Sequence, residues 1–491
     1  MSFSEAFKGA QVELGLCNGS KEKLFTLGRI ARALAAEALG AVSMVPYGYR
    51  ALQLYRTLPD QSSSAGSSTL NAAITKDVRY GPQPRNVMDI YVPGTAAETC
   101  QDSASSADGS LAPSNGPAGV PAGAPVALFC HGGVWATGEK WHYSPLATRL
   151  AQSGIVACVV SYTLYPQASA QDMVAELSQA LTWTLNNIHQ HGGDPDQVAA
   201  LGHSAGAHMW AMVLLERARA ARRASRQPRH TGTTLLAGAA GSNRQADYRM
   251  PAKFFGMAGV YDIAEHLQYE AGRGVRYLST MERALGGEGQ FPRQSPSVIL
   301  SRAAGVSARE ASPSRALMPG QAEALGARVA EERGSAGGGI AVAPSAATLP
   351  AAKGGCDGLQ LHASLPAAAE DLDFSLEDAR QLPPCRLYSS RVDITVPWMQ
   401  SCLMEQSLQA CKVPVQHRMY EQPCVSHASF VTDWQPLSAD KLGMSEPTSS
   451  GLGSGTAQFA RPMQTDTSSG SMQGLPAFAQ HIVEDIKGQS P

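Results

Sequence analysis

The sequence predicts an α/β fold: a mostly parallel central sheet flanked by helices, with long low-complexity insertions. Short apolar runs alternate along the chain with segments of helical period. The runs are continuous rather than alternating in polarity, as strands buried on both faces require. Charged residues make only 16% of the 491, against roughly 25% in an ordinary soluble domain. Buried strands and Ala/Gly/Ser/Pro filler together account for that deficit.

From the N-terminus, residues 1–17 carry Glu5, Lys8 and Glu13 and lack the apolar core of a signal peptide. Residues 25–58 are apolar but broken by Arg29, Arg32, Glu37, Arg50 and Arg56. The charge-free piece, 38–49, is shorter than the roughly 18 residues a spanning helix needs. Two expectations remain open for this stretch. One is a monotopic or interfacial element with Tyr47, Tyr49, Tyr55, Arg50 and Arg56 at a headgroup boundary. The other is an amphipathic helix packed on its own domain. The organisation expected is an apolar membrane-associated or interfacial segment at 1–60 and one globular domain at 75–490.

Six apolar runs are expected as strands: 126–130, 155–162, 197–202, 254–260, 385–389 and 415–420. Helical patterns fill the gaps at 144–152, 170–191, 205–216, 397–410 and 477–486. The second places Met173, Leu177, Leu181, Leu185 and Ile188 on one stripe and stops at Gly192-Gly193, a C-terminal signal. Pro397 suits a first helical turn. Strand and helix in alternation make a parallel sheet with crossover helices. Four segments, near 96–124, 217–250, 301–379 and 438–473, hold too little apolar surface to offset chain entropy and are expected as disordered inserts. A weak helix is expected within 321–333.

Composition narrows the function classes. With 43% hydrophobic and 6% aromatic residues, 48 Gly and 31 Pro, the chain is not collagen-like, coiled-coil or repetitive. A net charge of −2 leaves no global footprint for nucleic acid. The local basic run of Arg217, Arg219, Arg222, Arg223, Arg226 and Arg229 is expected as a solvated loop, with contact to anionic lipid or a partner as the alternative. The nine cysteines form no C-x-x-C pair and no zinc spacing, so reduced thiols are expected, with Cys130 and Cys158 acting as small buried hydrophobes.

The chemistry centres on Gly202-His203-Ser204-Ala205-Gly206. A G-x-S-x-G sequence between a strand and a helix makes a turn so tight that only small residues fit beside the serine. The turn lifts the Ser204 hydroxyl to the sheet edge, where the helix starting at Ala205 aims its free N–H groups. His131-Gly132-Gly133-Val134-Trp135 follows the first apolar run. Its Gly132 and Gly133 N–H groups, with that of Ala205, are the expected oxyanion hole. His131 is expected to hold the loop. Trp135 either walls the substrate pocket or packs the loop.

A base and an acid should follow in post-strand loops. His427 and Asp393 occupy such loops. Asp262 is the competing acid, or a residue that lines and braces the site. His203 and His208 are expected to be structural. The set supports acyl transfer with Ser204 as nucleophile, His427 as base and Asp393 as its orienting acid, and needs no metal or cofactor.

These residues resemble the esterase/lipase branch of the α/β-hydrolases, which implies the α/β-hydrolase fold. More specifically, the segment Tyr80 to Pro93, with Gly81, Gln83, Pro84, Arg85, Asn86, Asp89 and Tyr91, resembles plant isoprenylcysteine methylesterases. So do Gly259-Val260-Tyr261-Asp262-Ile263 with His266, Ser279-Thr280-Met281-Glu282, and Asp393 with Val396-Pro397. The resemblance implies hydrolysis of the methyl ester on a prenylated cysteine, at the cytosolic face of endoplasmic reticulum or Golgi membranes. The acid loop departs from it: Ser389-Ser390 stands where relatives usually carry His-Gly, and His203 stands where plant relatives commonly carry Gln. An arylformamidase-type amide hydrolase and a catalytically silent hydrolase-fold receptor are the alternatives.

Overall fold

The structure is a computed structural model. It describes residues 11, 14–15, 17–60, 71–94, 123–226, 248–276, 278–306, 374–435 and 474–489. Among these, one sheet runs in the order β1-β2-β4-β3-β5-β6-β7-β8. Its strands are β1 Ala72–Arg79, β2 Val87–Pro93, β3 Ala124–Cys130, β4 Val156–Val160, β5 Gly193–His203, β6 Lys253–Met257, β7 Cys385–Ser390 and β8 Val415–Tyr420. β2 pairs antiparallel with β1 and β4, and the other pairings are parallel. This is the α/β-hydrolase fold.

The principal helices are α1 Ser20–Ser43, α2 Val45–Thr57, α3 Ser144–Gln152, α4 Ala170–Asn187, α5 Ala205–Arg226, α6 Ile263–Arg273, α7 Pro296–Ala303, α8 Met399–Ala410 and α9 Ala477–Lys487. The pleat divides the strand side chains between two cores. In β3, Val126, Leu128 and Cys130 join the core under α4 and α5, while Ala127 and Phe129 join the one under α3 and α9. β4 splits in the same way, with Val156, Cys158 and Val160 on one face and Ala157 and Val159 on the other. That double burial is why these runs show no polar alternation; each large side chain contributes about 1.5–3 kcal/mol.

Four expectations change. β1 and β2 were not anticipated as strands. β1 carries Lys76, Asp77 and Arg79, and its register shifts between Thr75 and Val78, which blurs its period. The basic run is not a loop at its start: α5 continues through Arg226, with Arg217 and Arg222 only 2% and 5% exposed. Arg217 donates to the Arg249 carbonyl at 2.7 Å and to Ser178, and Arg222 pairs with the buried Asp378. The third insert is shorter than expected at both ends. Residues 301–306 complete α7 and its end, and Ser375 caps a short helix at Leu376–Ala379 through a capping box with Asp378. The first insert stops short of Ala124, which opens β3, and residues 248–250 of the second are described; the remainder of the expected inserts, and the helix expected within 321–333, lie outside the described residues.

The fourth concerns the N-terminal segment, where the second of the two open readings, a helix packed on its own domain, describes α2. α2 packs on the domain: it buries Ala51 and Leu54, and the Tyr47 hydroxyl donates to the His142 carbonyl at 2.7 Å. The boundary expected at residue 60 therefore falls inside packed structure. α1 is less covered, with Leu24, Phe25, Leu27 and Val42 exposed. Among the described residues no helix is long and apolar enough to cross a membrane.

Candidate active site

The β5–α5 turn sets Ser204 in the left-handed region, at φ +55°. A non-glycine residue held there stores roughly 1–3 kcal/mol of strain. Hydrogen bonds hold it: the Ser204 N–H donates to the Met257 carbonyl at 2.9 Å, and its carbonyl accepts from Ala207 at 3.0 Å and His208 at 3.2 Å. The flanking glycines are steric necessities. A Cβ on Gly206 would lie 2.3 Å from the Cys130 carbonyl oxygen, and one on Gly202 would lie 2.5 Å from the Ala207 Cα.

The loop after β3 comes against this turn. A Cβ on Gly132 would stand 2.8 Å from the Ser204 Cβ, so a glycine is required for that approach. Gly133, Val134 and Trp135 all have positive φ, at +116°, +50° and +58°. Among the described residues, no acceptor takes the N–H of Gly132, Gly133 or Ala205. These three are the expected oxyanion donors, and Gly132 is the one that the structure sets against Ser204.

The clamp on this loop comes from the Tyr80 to Pro93 segment. Arg85 donates to the Tyr162 carbonyl at 2.8 Å and the Gly138 carbonyl at 3.0 Å, and pairs with Glu139 at 2.7 Å. Lys140, just beyond, bridges Asp89 at 2.7 Å and Asp77 at 2.9 Å. His131 is fully buried between Tyr143 and Tyr162, and burial lowers its pKa to about 4. It is a neutral loop-holding residue. From the opposite side, Thr280 donates to the Val134 carbonyl at 2.6 Å.

His427 and Asp393, the expected base and acid, meet in the loops after β8 and β7. His427 Nδ1 lies 2.7 Å from Asp393 Oδ2. The other carboxylate oxygen, Oδ1, accepts the N–H groups of Thr395 at 2.8 Å and Val396 at 2.9 Å. Asp393 is 5% exposed, so its charge is held by these donors rather than by water. The Asp393 contact fixes the proton of His427 on Nδ1 and leaves Nε2 to accept one from a nucleophile.

Asp262 does not meet His427. It caps α6, accepting the Glu265 N–H at 3.1 Å, while its own N–H and that of Tyr261 donate to Gln400 at 2.8 Å. Burial raises its pKa. It braces the start of α6. Trp135, 1% exposed and edge-on to His208 at 5.2 Å, packs the loop rather than walling an open pocket. His208 is buried and bonded to the Gln294 carbonyl at 2.7 Å, a structural histidine.

Two features escaped the sequence. His203, expected to be structural, has its ring 4.6 Å from that of His427. His266 and Glu270, on the inner face of α6, form a buried pair at 3.7 Å. Only an i, i+4 spacing within a helix signalled the second. Cys402, Glu405 and His417 bring metal-capable atoms within 4.8 Å of one another. Both His417 nitrogens are already engaged, by Ser389 at 2.7 Å and Glu405 at 2.9 Å.

A family model described as BD-FAE matches residues 116–274. The isoprenylcysteine alpha-carbonyl methylesterase ICME of Arabidopsis thaliana is 31% identical over 261 residues, covering 52% of this chain and 51% of that protein. A probable isoprenylcysteine alpha-carbonyl methylesterase ICME of Oryza sativa subsp. japonica is 29% identical over 229 residues, covering 47% and 45%. The kynurenine formamidase of Danio rerio is 29% identical over 138 residues, covering 28% and 38%. The chain thus spans about half the length of the methylesterases it matches. The resemblance read from Tyr80 to Pro93 and from the serine turn is borne out by these matches.

Proposed function

We propose that the chain is a serine carboxylic ester hydrolase that demethylates prenylcysteine methyl esters. The observation that carries the hydrolase reading is the Asp393–His427 contact, tied through His203 to the tight turn in which Ser204 is strained. His427 Nε2 removes the Ser204 hydroxyl proton as Oγ attacks the ester carbonyl. The carbonyl oxygen becomes an oxyanion facing the Gly132, Gly133 and Ala205 N–H groups. Collapse expels the alkoxide, which leaves as an alcohol with the proton from His427. Water then attacks the acyl-serine by the same route, releasing a carboxylic acid and restoring Ser204. Asp393 fixes the imidazole tautomer and stabilises its positive charge.

The substrate class rests on the methylesterase relatives and on the Tyr80 to Pro93 segment, whose Arg85 clamps the oxyanion loop. The exposed Leu24, Phe25, Leu27 and Val42 of α1 are consistent with work at a lipid surface, where a prenyl chain resides. The match to a formamidase favours a second reading, hydrolysis of an aryl formamide.

One experiment separates them. Purified wild type and Ser204→Ala are assayed on a short p-nitrophenyl ester, a prenylcysteine methyl ester and N-formylkynurenine. Serine-dependent turnover of the prenylcysteine ester supports the proposal. Turnover of the formamide alone replaces the substrate class. No serine-dependent turnover on any substrate favours a silent hydrolase-fold receptor.

A further inference from the structure

We propose that His203 is the positioning residue for His427, its Nε2–H holding the His427 main-chain carbonyl so that the imidazole is aimed at Ser204. The inference rests on the assignment of His427 as base. His203 Nε2 lies 2.9 Å from the His427 carbonyl oxygen. A carbonyl only accepts, so the proton sits on that nitrogen. The two rings lie at 45° with centroids 4.6 Å apart. Burial drives the His203 pKa well below its ordinary value. The ring therefore donates while neutral and places no second positive charge beside the imidazolium that forms on His427.

Such a link has mechanical consequences. His203 is the last residue of β5 and the immediate neighbour of the nucleophile. Its backbone is locked by the turn glycines, which leave no room even for a Cβ. His427 sits on an irregular loop after β8. Asp393 grips one ring nitrogen, and a ring held at one point still pivots about that bond. The loop has further ties nearby: Ser390 donates to the Val425 carbonyl, and the Ser426 N–H donates to Ser429. Neither reaches residue 427 itself. The His203 bond does, and it joins base to nucleophile through a single intervening side chain. A misplacement of about 1 Å at such a point can cost on the order of 100-fold in rate.

The test compares wild type with His203→Gln, which retains a donor without the ring, and His203→Phe, which retains a ring without the donor. His203→Met, flexible and donor-free, stands in for His203→Phe if that variant fails to fold by its thermal melt. On a p-nitrophenyl ester, the donor-free variant loses roughly tenfold to 100-fold in kcat with KM within about twofold, while His203→Gln stays within about fivefold of wild type. A donor-free variant that turns over like wild type overturns the proposal. So does a His203→Gln as impaired as the donor-free variant, which would assign the effect to ring packing. A second readout is independent of turnover: the downfield NMR resonance of the His427 Nδ1 proton shared with Asp393. The expected result is a resonance kept in His203→Gln and broadened or lost in the donor-free variant. If it is unchanged there, the proposal fails even where the wild type proves to be no esterase. If wild type shows no serine-dependent turnover, the hydrolase assignment fails, and the resonance still decides the role of His203.

Discussion

Ser204, Asp393 and His427 come from three strand ends, and their chemistry depends on small displacements at each. Asp393→Asn keeps the shape of the acid but lets the His427 tautomer invert. Its kcat is expected to fall on the order of 10³–10⁴-fold with the fold intact, measured by steady-state kinetics beside a thermal melt. A loss of less than about tenfold would remove Asp393 from the acid role. The His266–Glu270 pair gives a second residue-scale prediction. Burial lowers the His266 pKa to about 3 and raises that of Glu270 to about 7, so the 3.7 Å contact is not an ion pair at neutral pH. The ordinary value for Glu270 is 4.5. Between about 4.5 and about 7 the native state holds a proton that the unfolded chain releases, so its contribution to stability falls as pH rises through that window. Glu270→Gln is therefore expected to be more stable than wild type at pH 8, on the order of 3 kcal/mol, with the advantage gone near pH 4. Urea melts at the two pH values check this. An equal difference at both would show that the carboxyl does not titrate as described. The candidate catalytic residues stood out in the sequence because each falls in a loop after an apolar run. The role of His203 was not, because its bond runs to a main-chain carbonyl more than two hundred positions away and leaves no local pattern.

At the scale of elements, legibility followed polarity. β3 and β4 were plain because both faces are buried, and α4 because its stripe is regular and the short turn that extends it, Ile188–His191, stops at Gly192 in the left-handed region. β1 was hidden by its charged residues. The end of α5 was misassigned because its arginines read as solvated, whereas tertiary structure supplies each buried one with partners. Arg222 and the fully buried Asp378 tie the end of α5 to the turn preceding β7. Arg222→Met strands the carboxylate and is expected to cost about 3–5 kcal/mol, and Arg222→Met with Asp378→Asn to recover most of it. Chemical denaturation of the two variants tests the pair. Equal losses would mean that the Arg222 stem, not its charge, does the packing.

Over the whole molecule, one sheet gathers every proposed catalytic group at the C-terminal ends of its parallel strands. The chain-length excess lies at 95–122, 227–247 and 307–373, between strands, and at 436–473, between β8 and α9, all outside the described residues. The Tyr80 to Pro93 segment acquires a physical reason at this scale. It forms β2 and carries Arg85 and Asp89, which fasten the oxyanion loop to the antiparallel edge of the sheet. In the proposed chemistry Ser204 is the nucleophile and His427 its base. The most direct measurement is intact-protein and peptide mass spectrometry after exposure to a fluorophosphonate. One phosphonyl adduct is expected, on the peptide containing Ser204, absent in Ser204→Ala and strongly slowed in His427→Ala. An adduct on another residue, or none in the folded wild type, would contradict it.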